Sequence, residues 1–368
     1  MYRFRDLIIA FFLLFVSTGI THGQGRSPII NYTYSVGGSI SKGFIVAHDP
    51  KMRHLALSHP EGFSIWVKKH TYGDRDWEKA LKYPDIGLVL DYFDYKSDIL
   101  GHSIATTGFL DYYLTRTDKN SFNFQFGVGI SYSFSPYDKQ DNNKNIAIGS
   151  PITYSLRAQL SYNQQIIERL KLMLALRLTH YSNGASALPN KGINIPTADL
   201  GVSYSLNKLR PDYHIFSTMP KIDEDLKFNV FIGTGLKEVT IDGKKFPFIT
   251  VSFNSSKQVS LLNSFNLGVD YFHSWATKEE IAIDRDLESR DLDFKRVGLA
   301  GGHELLIGKL SFLTQLGVYI YRPYKSDKPI YQRYGLKYKL SEKLYGGVFL
   351  KSHYGKAEAV EWGIGIKL

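Results

Sequence analysis

Residues 122–134 read Phe-Asn-Phe-Gln-Phe-Gly-Val-Gly-Ile-Ser-Tyr-Ser-Phe. Every even position is large and apolar or aromatic, and every odd position is small or polar. Successive side chains of a strand point to opposite faces, so this period of two predicts a strand with one apolar and one polar face. The pattern recurs with Ile152, Tyr154, Leu156, Ala158, Leu160 and Tyr162 set against Thr153, Ser155, Arg157, Gln159 and Ser161. It closes the chain, where Val360, Trp362, Ile364, Ile366 and Leu368 alternate with Glu361, Gly363, Gly365 and Lys367.

Working outward from these segments, the alternation marks about sixteen strands. They lie near 39–48, 62–70, 86–95, 102–116, 122–134, 150–163, 170–181, 197–207, 226–238, 245–256, 263–275, 294–304, 309–321, 330–340, 343–354 and 358–368. A soluble sandwich would also alternate. The segments here reach about ten residues or more, the length a tilted membrane-spanning strand needs. Tyr and Trp cluster at their ends, as in an interfacial girdle. Short connections such as Thr117–Asn120, Gln165–Arg169, Ile307–Lys309 and Ser341–Lys343 alternate with long ones. The long ones are His48–Glu61, Ser135–Ser150, Tyr181–Thr197, Thr277–Asp293 and Arg322–Pro329, with Thr71–Pro84 and Leu209–Asp225 as exceptions on the short side. The predicted fold is an all-β transmembrane antiparallel up-and-down β-barrel. With no linker near 208–225, residues 24–368 are expected to form one barrel of about sixteen strands, the strand at 358–368 pairing beside the first.

Composition narrows the class. With 43% hydrophobic and 14% aromatic residues in 368, the chain is not disordered. It has no cysteine, which excludes disulfides, thiolate nucleophiles, Cys-based metal sites and a lipidated N-terminal cysteine. Arg3 and Arg5 precede an apolar run from Leu7 to Val16, followed by small residues. That order predicts a secretory signal peptide over residues 1–23 and an exported mature chain. A net charge of +10 on an exported protein points to anionic lipid or polysaccharide rather than nucleic acid.

One strand carries more than barrel chemistry. Leu170, Leu172, Leu174, Leu176 and Leu178 share one parity, while Lys171, Arg177 and Thr179 take the other. The leucines must face lipid, because polar residues belong to the lumen of such a barrel. His180 and Ser182 continue the leucine parity, so both are expected on the outer wall at the membrane boundary. A polar pair facing hydrocarbon loses its water partners, which makes it a functional candidate. A strand that has already emerged into the headgroups would make the pair harmless.

The wider segment is His180-Tyr181-Ser182-Asn183-Gly184, followed by Pro189-Asn190-Lys191-Gly192. It resembles the signature of the outer-membrane lipid A 3-O-deacylases, known more broadly as acyloxyacyl hydrolases. In that family an eight-stranded barrel carries a Ser-His-Glu triad on its outer wall. The resemblance is most specific over 178–194 and looser over 39–207. The half at 208–368 is expected to be additional barrel strands. It resembles the longer Bacteroidetes members of the family, as do the Ala47-His48 and Leu350-Lys351-Ser352-His353 segments.

The resemblance implies Ser182 as nucleophile and His180 as its general base, since a serine hydroxyl needs an adjacent base. It implies oxyanion stabilisation from Asn183 and Gly184, with Asn190 supporting the site, although Asn190 also reads as a turn residue with Gly192. The family's glutamate falls on Asn194, whose amide can orient an imidazole but supplies no negative charge. Asp199 is the nearest downstream carboxylate, but its parity opposes Leu200, Val202 and Tyr204, so it should face the lumen. The implied activity is hydrolysis of an ester-linked 3-hydroxyacyl chain from lipid A or lipopolysaccharide, in the outer membrane of a Gram-negative bacterium. No cofactor or metal is implied.

The remaining motifs add little. His54 and His59 lie in the first long loop, His303-Glu304 lacks the second histidine of a zinc motif, and His353 sits in a strand. Phosphate-binding loops, dinucleotide fingerprints and nucleic-acid modules are missing from the sequence. A sixteen-stranded barrel could instead be a pore with an inactive deacylase-like motif, its lumen wetted by Arg157, Gln159, Arg177, Asp199 and Glu361. The sequence leaves this alternative open, and with it the oligomeric state and the acyl chain removed.

Overall fold

The computed structural model describes residues 33–207, 213–285 and 291–368. The signal peptide expected at 1–23 lies outside the described residues. Among the described residues there are sixteen strands. The first eight are β1 (Thr33–Gly43), β2 (Glu61–His70), β3 (Asp85–Asp94), β4 (His102–Arg116), β5 (Asn120–Ser133), β6 (Ile152–Ile167), β7 (Leu170–Ser182) and β8 (Ile193–Ser205). The second eight are β9 (Lys227–Glu238), β10 (Lys245–Gln258), β11 (Asn263–Ser274), β12 (Arg296–Ile307), β13 (Leu310–Tyr321), β14 (Ile330–Lys339), β15 (Leu344–His353) and β16 (Lys356–Lys367). All pairings are antiparallel between chain neighbours, apart from the two that close the sheets. No helix among the described residues is long and apolar enough to cross a membrane. Among the described residues, short helices sit in three connections, at Pro50–Met52, Asp76–Ala80 and Trp275–Ile283, the last running into the stretch from Thr277 expected to be loop.

Strand number and strand faces follow the alternation, but closure does not. In place of one sixteen-stranded barrel there are two closed barrels of eight strands each. β8 returns to β1, pairing Ser205 with Ser35 and Leu200 with Ile40. β16 pairs with β9, Gly363 opposite Gly233, and not with the first strand.

The lumen residues give the physical reason. At eight strands the interior is just wide enough to be filled by side chains. Arg177 on β7 reaches across to Asp91 on β3 at 2.7 Å, Ser64 on β2 at 3.0 Å and Ser41 on β1 at 2.6 Å. Arg157 also bonds Asp91 at 2.7 Å, and Asp199 pairs with Arg177 at 3.1 Å. In the second barrel Arg333 on β14 reaches Asp270 on β11 at 3.2 Å, Glu361 on β16 at 2.6 Å and Ser252 on β10 at 2.9 Å. Buried charges of this kind persist when paired and hydrogen-bonded, and only a narrow barrel brings such partners together.

The wet sixteen-stranded lumen required for the pore reading is therefore not formed. Arg157, Gln159, Arg177, Asp199 and Glu361 are all buried in contact with partners. A cavity of about 20 Å³ beside Phe248 and Phe272, and one of about 10 Å³ beside Trp66 and Val89, are the size of a water molecule or two.

The barrels touch through their outer faces. Phe126 of β5 meets Phe312 of β13 edge-on at 5.9 Å. The Trp362 indole of β16 donates to the Tyr154 hydroxyl of β6 at 3.2 Å.

Candidate active site

The β7–β8 hairpin sets the site. Leu174, Leu176 and Leu178 are 53%, 68% and 47% exposed, while Met173, Ala175 and Arg177 are buried at 2%, 7% and 3%. His180 and Ser182 keep the leucine parity and are half-buried. The register puts His180 directly opposite Asn194 on β8, and Ser182 opposite Tyr154 on β6. Residues facing each other across antiparallel strands share a sheet face, so Asn194 stands beside His180. Asp199 takes the opposite parity and is buried against Arg177, as its spacing from Leu200 indicates.

Beneath the pair lies an apolar cap that closes the long-loop end of the first barrel. Ile45, Met52, Leu55, Phe93, Tyr95, Leu100, Ala147, Ile148, Tyr181, Ile193 and Ile195 pack into one cluster. Tyr181, Ile193 and Ile195 point into it, which turns their neighbours His180, Ser182 and Asn194 outward. Backbone bonds tie the loops down, Gly192 N–H to Ala147 C=O at 3.0 Å and Val46 N–H to Asn194 C=O at 3.0 Å. The second of these extends the β1 edge along β8 and delivers His48.

Two polar chains then meet on this face. Asn190 Nδ2 donates to Ser182 Oγ at 3.0 Å, and Asn190 Oδ1 accepts the Asn183 N–H at 3.1 Å. The Gly184 N–H points to Ser182 Oγ at 3.3 Å. His180 Nδ1 lies 2.7 Å from Asn194 Oδ1, Asn194 Nδ2 lies 3.0 Å from His48 Nδ1, and His48 Nε2 lies 2.8 Å from the Lys191 carbonyl. Among the described residues, His180 Nε2 makes no hydrogen bond and is not bonded to Ser182. Asn183 differs from its companions. Its side chain is buried and donates to Ser150 Oγ at 3.1 Å and to the Ala187 carbonyl at 2.9 Å, away from the serine. The donors beside Ser182 Oγ are therefore the Gly184 N–H and the Asn190 amide.

Glycine is required twice. Gly184 has φ +64°, and a Cβ there would lie 2.3 Å from Val360 Cγ2. Gly192 has φ +71°, and a Cβ there would lie 2.8 Å from His180 Cε1. L-residues rarely adopt such φ values, and either side chain would displace the site.

The second barrel holds the same loop. Val360 packs on Gly184, Glu238 accepts the Leu188 N–H through its carboxylate, and the Glu238 N–H donates to the Ala185 carbonyl at 3.3 Å. Beside the loop, Lys191 pairs with Asp49 at 2.5 Å. The Lys191 ammonium and the Lys51 N–H hold the Asp49 carboxyl below the usual carboxylate range.

The structure thus brings His180, Ser182, Asn190, Asn194 and the Gly184 backbone together. Two contributors lay outside the sequence reading. In the sequence His48 stands out only within the resembling Ala47-His48 segment, and Glu238 gives no signal, since its partner is a backbone N–H fifty residues away in the chain. His54 bonds the Lys144 carbonyl of the β5–β6 loop at 2.9 Å, and His59 bonds the Leu57 carbonyl of its own loop at 3.1 Å. One set of metal-type ligands occurs among the described residues, Asp327, His353 and Glu358. Arg296 bonds Asp327 at 2.9 Å and Lys351 bonds Glu358 at 3.0 Å, so cationic side chains already neutralise both carboxylates.

Comparison with known proteins bears on both barrels. The family model described as Lipid A 3-O-deacylase (PagL) matches residues 62–203. The model described as Acyloxyacyl hydrolase, C-terminal domain, matches residues 225–368. No curated protein matches the chain. Among solved structures, Neisserial surface protein A is similar at 10% identity and TM-score 0.31, over 46% of this chain and 96% of that one. A triple mutant of the Rhodopseudomonas blastica porin is similar at 8% identity and TM-score 0.18, over 91% of this chain and 100% of that one. CdiB from Acinetobacter baumannii is similar at 10% identity and TM-score 0.18, over 91% of this chain and 60% of that one.

Proposed function

Since this chain belongs to the lipid A 3-O-deacylase family of hydrolases, we propose that it removes an ester-linked 3-hydroxyacyl chain from lipid A using Ser182 and His180 on the outer wall of its first barrel. The observation that carries this reading is the 2.7 Å bond between His180 Nδ1 and Asn194 Oδ1. With Nδ1 held there, Nε2 is the basic nitrogen left to serve Ser182, two residues on along the same face. The substrate would lie in the outer leaflet of a Gram-negative outer membrane, its acyl chains along Leu174, Leu176 and Leu178.

Ser182 Oγ attacks the ester carbonyl carbon while His180 Nε2 takes the hydroxyl proton. The carbonyl oxygen becomes an oxyanion beside the Gly184 N–H and the Asn190 amide, donors already in place. Collapse breaks the bond to the glucosamine oxygen, which leaves with the proton from His180. The 3-hydroxyacyl group remains on Ser182. Water, deprotonated by His180, then releases the 3-hydroxy fatty acid and restores the serine. Asn194 fixes the imidazole but brings no charge, so the imidazolium is less stabilised than beside a carboxylate.

The test is release of 3-hydroxy fatty acid from lipid A by the purified protein in detergent, with Ser182→Ala as blank. Release above the blank supports the reading. Release equal to the blank refutes it.

A further inference from the structure

We infer that His48 is a positioning residue for this site, acting through Asn194 to place the proton of His180 on Nδ1; the inference rests on the function proposed above. One chain of hydrogen bonds links the two imidazoles. The Lys191 carbonyl only accepts, so His48 Nε2, 2.8 Å away, must carry a hydrogen. In a neutral imidazole the other nitrogen is then an acceptor, so His48 Nδ1 presents a lone pair. The group 3.0 Å from it must donate, which assigns Nδ2 to that end of the Asn194 amide. Oδ1 consequently faces His180 at 2.7 Å and demands a hydrogen on His180 Nδ1. His180 Nε2 is left with its lone pair, the state a general base needs.

An amide alone does not enforce this. Unlike a carboxylate, it has a donor end and an acceptor end, and turning it over would offer Nδ2 to His180 Nδ1. The proton of His180 would then sit on Nε2, and the base would be lost. A glutamate needs no such orientation, because both its oxygens accept. His48 therefore supplies the direction that the asparagine lacks, and the backbone bond from Val46 to Asn194 keeps it in place. Among the described residues, His48 hydrogen-bonds Asn194 and the Lys191 carbonyl and not Ser182.

The test is a double-mutant cycle on the full-length protein, reading fatty acid release from lipid A. His48→Ala should lower kcat about five- to tenfold, the scale of one lost hydrogen bond. In an Asn194→Glu background the same substitution should change kcat by less than about twofold, because a carboxylate has no wrong way round. Equal losses in both backgrounds, or no loss in the first while Ser182→Ala is inactive, would overturn the role of His48 and leave the hydrolase intact. Wild type no better than Ser182→Ala would instead sink the function itself. A second readout does not depend on turnover. In ¹⁵N-histidine spectra assigned by difference with His180→Ala, His180 should be protonated on Nδ1 in wild type and mixed in His48→Ala. A single Nδ1-protonated form in both would equally overturn the inference.

Discussion

The seventh strand of each barrel ends in a serine and a histidine, and the two ends do different things. On β7, His180 and Ser182 share the outward parity; the ten-residue loop that follows brings Gly184 and Asn190 to them, and β8 brings Asn194. On β15, Ser352 and His353 are both buried, and only Tyr354 and Gly355 separate β15 from β16. A register shift at Lys351/Ser352 disturbs the alternation there. His353 bonds the Tyr319 hydroxyl at 3.1 Å and lies 3.5 Å from Glu358, inside the barrel. A strand has a period of two, so a shift of one residue decides whether an imidazole meets lipid or core. On the function proposed above, the first barrel would carry the chemistry and the second would support it, its Glu238, Val360 and Trp362 contacting the 183–192 loop and the neighbouring Tyr154.

The largest expected effect separates the two interiors. Asp91 serves two guanidinium groups, whereas Asp270 shares Arg333 with Glu361. Asp91→Ala takes the paired carboxylate from Arg157 and one of the two from Arg177, which keeps Asp199, and should cost about 3–5 kcal/mol of stability. Asp270→Ala should cost about 1–3 kcal/mol, since Arg333 keeps Glu361. Urea unfolding in lipid vesicles checks the order; equal costs would break the contrast.

Next comes the orienting amide. Asn194→Ala should lower fatty acid release roughly a hundredfold without unfolding the barrel, within the range for general-base catalysis. Asn194→Glu should at least preserve it. Release by Asn194→Ala equal to wild type would assign the holding of His180 to another residue.

The support role of the second barrel predicts smaller changes. Glu238→Ala removes the acceptor of the Leu188 N–H and should lower kcat about fivefold, as one lost hydrogen bond in the loop allows. Trp362→Phe removes the bond to Tyr154 while keeping most of the packing, and should change release by about twofold or less. If both variants match wild type, the second barrel does not hold the site.

The alternation at 122–134 made β5 legible almost to the residue, and the leucines of 170–178 gave the outward parity of β7. Periodicity reports faces, not partners. Whether β8 pairs with β1 or continues into a larger sheet depends on Arg177 reaching Asp91, 86 residues away, which no local pattern encodes. The same holds for the site. Ser182, His180 and Asn190 lie within one motif and could be read from it. Asn194 could be ranked only by resemblance, because an asparagine at the start of a strand carries no charge signal. His48 reaches Asn194 from 146 residues away, through the register of β1 along β8.

The central claim is that the outward Ser182–His180 pair deacylates lipid A. The most direct measurement is lipid A mass spectrometry of cells producing the wild-type chain, the Ser182→Ala variant, or neither. The account predicts that wild type alone yields lipid A lighter by one 3-hydroxyacyl chain. Identical spectra from all three, with both proteins folded in the outer membrane, would contradict it.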